Sequence, residues 1–119
     1  MRAIAPLILT IALPIAALAQ QTSNAEGVLL RGIDRYTGEV VDIELPAGQS
    51  ARFGRLIVTL TECRYPVGNP AGDAYAGLQI LEDGREDVLF SGWMLASSPA
   101  FNALEHPRYD VWVMRCMTS

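Results

Sequence analysis

From Gly27 onward, turn-forming residues interrupt the chain at short, regular intervals, and the stretches between them alternate apolar with polar side chains. This feature limits the fold more than any other, because a period of two suits a half-buried strand and leaves no room for a long helix. Val28 to Ile33 is apolar but for Arg31 and Gly32, and Asp34-Arg35-Tyr36-Thr37-Gly38 reads as a turn. Glu39 to Leu45 then places Val41, Ile43 and Leu45 on one face and Asp42 and Glu44 on the other. After the turn Pro46-Ala47-Gly48-Gln49 come a short Ser50–Phe53 segment and an Arg55–Cys63 strand, with Leu56, Val58 and Leu60 facing one way. Arg64 to Asp73, which holds Pro66, Gly68, Pro70 and Gly72, reads as a loop. Two more strands, Ala74–Leu81 and Val88–Leu95, flank an acidic turn over 82–87, and Tyr109–Met117 is the last. Ser97-Ser98-Pro99 followed by Ala100–Leu104 predicts the one short helix, a hydroxyl cap with proline in first position, ended by Pro107. The expected fold is all-β: a small β-sandwich or partly open barrel of about seven short strands with one corner helix.

The region before this pattern reads as an export signal. Met1-Arg2 supplies positive charge, Ala3–Leu18 is apolar apart from Thr10 and interrupted by Pro6 and Pro14, and Ala17-Leu18-Ala19 offers small residues for cleavage before Gln20. A run so short and proline-broken makes a poor membrane span, and no cysteine follows it to carry a lipid anchor. The expectation is therefore a cleaved signal over 1–19, a flexible leader over 20–26, a single β domain over 27–119 and a periplasmic product without a membrane span. A mature chain of about 100 residues suffices for one domain only.

Nine basic residues, all arginine, face thirteen carboxylates; without Arg2 the excess of negative charge is five. That balance argues against a nucleic-acid partner, which requires a basic face. Cys63 and Cys116 have one intramolecular connectivity, and in an exported domain they are expected to form a disulfide. The alternatives are two free thiols or a metal pair, but one histidine and two distant cysteines make a thin ligand set. No metal and no cofactor are expected.

The segment Ser91–Cys116 concentrates the chemistry-bearing residues: both tryptophans, the only histidine, a serine pair and one cysteine. Ser98, His106 and Asp110 are the residue types of an acyl-transfer triad. However, Ser98 is better used as a cap, no Gly-x-Ser-x-Gly elbow is present, and His106 precedes Pro107, where the backbone is driven extended. The carboxylates Glu105 and Asp110, and the group Glu82, Asp83, Glu86 and Asp87, read as solvated turns rather than a glycosidase pair or a calcium loop. An enzyme is not expected. Strand parity sets Trp93 opposite Phe90 and Met94, and at least one tryptophan is expected to be buried, packed beside the disulfide. Rigid loops on β-scaffolds present binding groups, so Trp93, His106, Arg108 and Tyr109 are the candidate contact residues.

Phe53-Gly54-Arg55-Leu56, Cys63-Arg64-Tyr65-Pro66, Phe90-Ser91-Gly92-Trp93-Met94, Ala96-Ser97-Ser98-Pro99-Ala100, Leu104-Glu105-His106-Pro107 and Tyr109-Asp110-Val111-Trp112-Val113 together resemble a family of small exported alphaproteobacterial proteins, domain of unknown function 2155. The resemblance runs from about Gly27 to Cys116 and implies a Gram-negative periplasmic setting, with no activity, ligand or site residue attached. An immunoglobulin-like pattern is a poorer fit, since Met114 stands where that fold has a tyrosine two before its second cysteine. The functional expectation is a non-enzymatic cell-envelope interaction module that binds another envelope protein. A glycan-binding module for peptidoglycan or polysaccharide is the second reading, and a small hydrolase using Ser98, His106 and Asp110 the third.

Overall fold

The alternation in Gly27–Asp34 sends Val28 and Leu30 inward, and Val40–Pro46 returns antiparallel against it, pairing Gly27 with Pro46 through Ile33 with Val40. The computed structural model describes residues 21–118; the expected signal over 1–19 lies outside them. Numbered in chain order, the strands are β1 (Thr22–Asn24), β2 (Gly27–Asp34), β3 (Val40–Pro46), β4 (Ser50–Phe53), β5 (Leu56–Pro66), β6 (Tyr75–Glu82), β7 (Val88–Leu95) and β8 (Tyr109–Met117). One sheet has the order β3-β2-β8. The other runs β1-β5-β6-β7, with β4 also paired to β5. Every pairing is antiparallel. The two sheets enclose one core and do not close into a barrel, so the sandwich expectation holds.

The core is built from the inward positions of both sheets: Val28 and Leu30 from β2, Leu56, Val58 and Leu60 from β5, Leu78 and Ile80 from β6, Phe90 and Met94 from β7, Val111 and Val113 from β8. Gly32 interrupts β2 for a steric reason. A Cβ there would sit 2.8 Å from the ring of Phe53, which crosses from the opposite sheet.

Two bulges turn the cysteines inward. Strict alternation from Leu56 would put Cys63 on the outer face with Thr59, and alternation from Tyr109 would do the same to Cys116. The β5–β6 register shifts between Leu60 and Glu62, and the β2–β8 register shifts opposite Val113–Arg115. Each extra residue reverses the parity just before a cysteine. Both sulfurs therefore face the core and join the two sheets as the Cys63–Cys116 disulfide, with Cα atoms 5.8 Å apart.

Three expectations need correction. The leader over 20–26 is not free, because Thr22–Asn24 forms β1 against Arg64–Pro66, and this gives an eighth strand. For the same reason the first three residues of the expected 64–73 loop belong to β5. The corner helix is absent among the described residues: the Ser98 carbonyl accepts one bond from the Phe101 N–H at 3.0 Å and the chain then leaves the turn. Five helix-prone residues cannot repay nucleation, and competing partners take the polar groups. Asp73 accepts bonds from both the N–H and the hydroxyl of Ser97, Asn102 donates back to the Trp93 carbonyl at 2.9 Å, and Leu104 enters the core.

Candidate functional site

Tyr109 opens β8 and is 1% exposed, so it cannot offer a contact surface. Its hydroxyl accepts the Arg55 N–H at 3.1 Å across the sandwich, and its ring meets Phe53 edge-on at 5.6 Å. Gly54, at φ +56°, makes this approach feasible, since a Cβ would lie 2.6 Å from the tyrosine oxygen. The preceding residue, Arg108, rests its guanidinium against the rings of Tyr36 and Tyr109, 5.2 and 5.1 Å from their centres. From there Nε and Nη2 donate to the Asp34 carboxylate at 3.0 and 2.8 Å.

Asp34 ends β2 and is the buried charged side chain of this cluster. It also accepts the N–H groups of Tyr36 at 2.9 Å and Thr37 at 3.4 Å, so it both makes the hairpin turn and anchors Arg108. The Arg108 hydrogen bonds hold its carboxyl down at about 2, against the opposing effect of burial. His106 completes the cluster. Its Nδ1 accepts the N–H groups of Arg108 at 3.0 Å and Tyr109 at 3.2 Å, which places the ring proton on Nε2, 3.3 Å from Glu82 Oε1. That bond, with help from Arg85, holds the Glu82 carboxyl below its ordinary range.

His106, Arg108 and Tyr109 are thus brought together as expected, but as a latch between the sheets. Their hydrogen bonds are made within the protein; Tyr109, being buried, is a correction as a contact residue, whereas Arg108 keeps about a third of its side chain exposed. Two of the three triad residues, His106 and Asp110, are likewise engaged elsewhere. Asp110 pairs with Arg35 at 3.1 Å and receives the Val111 N–H at 3.0 Å, while both ring nitrogens of His106 have the partners just named. In the acidic turn, Asp83 pairs with Arg52 at 2.7 Å, and that bond lowers its carboxyl. Among the described residues no group of three His, Cys, Asp or Glu side chains is placed to hold a metal ion.

The tryptophans hold the larger surprise. Neither is buried: Trp93 is 41% and Trp112 43% exposed, on the outer faces of opposite sheets. Beside the disulfide the core is filled by smaller groups, Val28, Ala74 and Ala76, and parity sends both indoles outward. Trp112 stands over a hollow of about 270 Å³ that the 96–108 corner closes with Pro99, Ala100, Ala103 and Leu104. The Arg35–Asp110 ion pair forms its polar end, and Arg35 is fixed there by a second bond, to the His106 carbonyl at 2.7 Å. Phe101, 77% exposed, lies on the same corner.

Sequence reasoning included Trp93 among its candidates and passed over Arg35 and Trp112. The signal it lacked was spatial: Arg35 follows the first hairpin strand, far along the chain from the corner it meets. Asp34 was legible only as a turn residue.

The architecture defines a class before it defines a relative: a disulfide-linked, two-sheet β module with an aromatic on each outer face. The chain belongs to the DUF2155 family, described as an uncharacterized protein conserved in bacteria, which matches residues 28–116. It is similar to the uncharacterized protein RP359 of Rickettsia prowazekii (strain Madrid E), 30% identical over 87 residues. That alignment covers 71% of this chain and 56% of the relative, so the chain spans little more than half of the curated protein it matches. No solved structure matches it significantly.

Proposed function

We propose that the exported chain is a non-enzymatic binding module of the cell envelope, and that its corner hollow receives an extended segment of another envelope protein. The observation that carries this reading is Trp112: a large aromatic left exposed beside a hollow lined mostly by apolar residues. Exposed aromatics over preformed apolar recesses are where protein interfaces concentrate their binding energy. A recess of this size suits one or two aliphatic side chains rather than a whole metabolite. The corner is held in advance by the Ser97–Asp73 and Asn102–Trp93 bonds and by the latch below it, so little ordering cost falls on binding. The signal-like N-terminus and the disulfide support an oxidising, exported setting.

A photo-crosslinking residue placed at position 112 or 101 in living cells tests this directly. Discrete adducts are expected at both positions and not at exposed Glu44 on β3, and Ala103→Glu, which fills the hollow with charge, should abolish them. Adduct patterns identical at all three positions, or unaffected by Ala103→Glu in a folded protein, would refute the reading.

A further inference from the structure

The outer face of the β5-β6-β7 sheet carries a second and different arrangement. Gly77 on β6 lies directly across from Trp93 on β7, and it leaves the sheet bare where the indole lies. A Cβ at Gly77 would strike the Thr61 hydroxyl and would touch the six-membered ring of Trp93 at 3.6 Å. The far edge of the indole thus sits beside the space a Gly77 side chain would fill, and Trp93 as a whole is 41% exposed. Its strand is held in place by the Asn102 bond to the Trp93 carbonyl and by Gly92, whose φ of +150° is a backbone angle that other residues rarely adopt.

Hollows of about 320 and 400 Å³ lie on either side of this platform. The first is lined by Thr61, Gly77, Gln79, Ser91 and Gly92, with no charged side chain. Gln79 and Ser91 face each other across β6 and β7, and among the described residues neither side chain has a hydrogen-bond partner in the protein. The second hollow continues past Trp93 to Tyr75, Arg64 and Thr22. Both rows lie on one face, so the track crosses the sheet with the indole at its centre.

We infer that this track binds an uncharged, β-1,4-linked chain of hexose or N-acetylhexosamine units. A pyranose ring in such a chain presents a flat face of C–H groups, which suits stacking on the exposed indole of Trp93. Its hydroxyl and amide groups lie around the rim, where Gln79 and Ser91 offer neutral donors and acceptors. Two hollows flanking one aromatic fit consecutive sugar units better than a single sugar. The excess of carboxylates over arginines disfavours anionic polymers. The site is independent of the Trp112 hollow, which lies on the other sheet, and either reading stands without the other.

The probes are the β-1,4-linked tetramers of N-acetylglucosamine and of glucose. They are titrated into purified protein carrying Trp112→Phe, so that indole fluorescence reports on Trp93 alone. The expected result is a saturable change with at least one tetramer, with affinity about tenfold above that of the corresponding monosaccharide. In calorimetry, Trp93→Ala should weaken binding by about tenfold or more, the scale of an aromatic stacking contact. Gln79→Ala and Ser91→Ala alter exposed groups that the fold does not use, and each should weaken binding several-fold with circular dichroism unchanged. The inference is overturned if neither tetramer binds. It is equally overturned if binding survives Trp93→Ala at full strength, or if the Gln79→Ala, Ser91→Ala double variant binds as tightly as the parent.

Discussion

Asp34 has exchanged water for the guanidinium of Arg108 and the two backbone N–H groups of its own turn, and this exchange decides what the neighbouring residues can do. The arginine is committed to an internal ion pair, and the tyrosine against it is core. The same bonds make stability depend on pH. The Asp34 carboxyl falls from the ordinary 3.8 to about 2 in the folded chain, so the unfolded chain takes up its proton first as pH drops. Its stabilising contribution is complete above about pH 4 and is lost between there and pH 2; Glu82, shifted in the same direction, adds to the loss. Asp34→Asn should lower the urea midpoint at pH 7 and flatten its decline between pH 4 and 2.5. An unchanged acid slope in that variant would remove the latch from the account. Arg108→Glu should lower the midpoint as well, since Asp34 then loses its guanidinium partner and faces a second carboxylate.

At the scale of strands, the bulges in β5 and β8 matter most. Each disturbs an otherwise regular ladder at the position that turns a cysteine to the core, and together they let the disulfide staple the two sheets. The bridge spans a sequence separation of 53 residues, a loop for which the chain-entropy model gives a stabilisation of about 4 kcal/mol. Cys63→Ala with Cys116→Ala should cost the fold roughly that amount in a denaturant titration, and the parent in reductant should follow it. A loss below about 1 kcal/mol would show that the latch and core suffice without the staple. The corner illustrates the opposite case, an element that sequence favours and structure declines. Ser98 and Pro99 are good openers for a helix, yet Asp73, from the loop before β6, captures Ser97, and Leu104 finds the core within a few residues.

For the molecule as a whole, the consequence is a small body with two unlike faces. One offers an aromatic above an apolar recess ending in an ion pair; the other offers an aromatic between a hollow lined by hydroxyl and amide groups and a second that includes Arg64. Were both sites to bind as proposed, the module would bridge an envelope protein and a neutral glycan. The simplest physical consequence is optical. In the folded protein acrylamide should quench Trp93 and Trp112 alike, each measured in a variant with the other changed to phenylalanine. A tryptophan protected from quencher until the protein unfolds would restore the buried, disulfide-side packing first expected.

Read alone, the sequence already determined the class of fold, the extents of most strands, the inward row Leu56-Val58-Leu60, and the cysteine pairing. These follow from local alternation, turn chemistry and a single available connectivity, all short-range or combinatorial facts. Tertiary structure alone decided that β1 is a strand, that the corner is not a helix, that both indoles are outside, and that His106, Arg108 and Tyr109 look inward. Apart from the placement of the indoles, these outcomes depend on partners far along the chain, Arg64 for Asn24, Asp73 for Ser97, Asp34 for Arg108 and Glu82 for His106. No local pattern encodes which distant group will claim a hydrogen bond first.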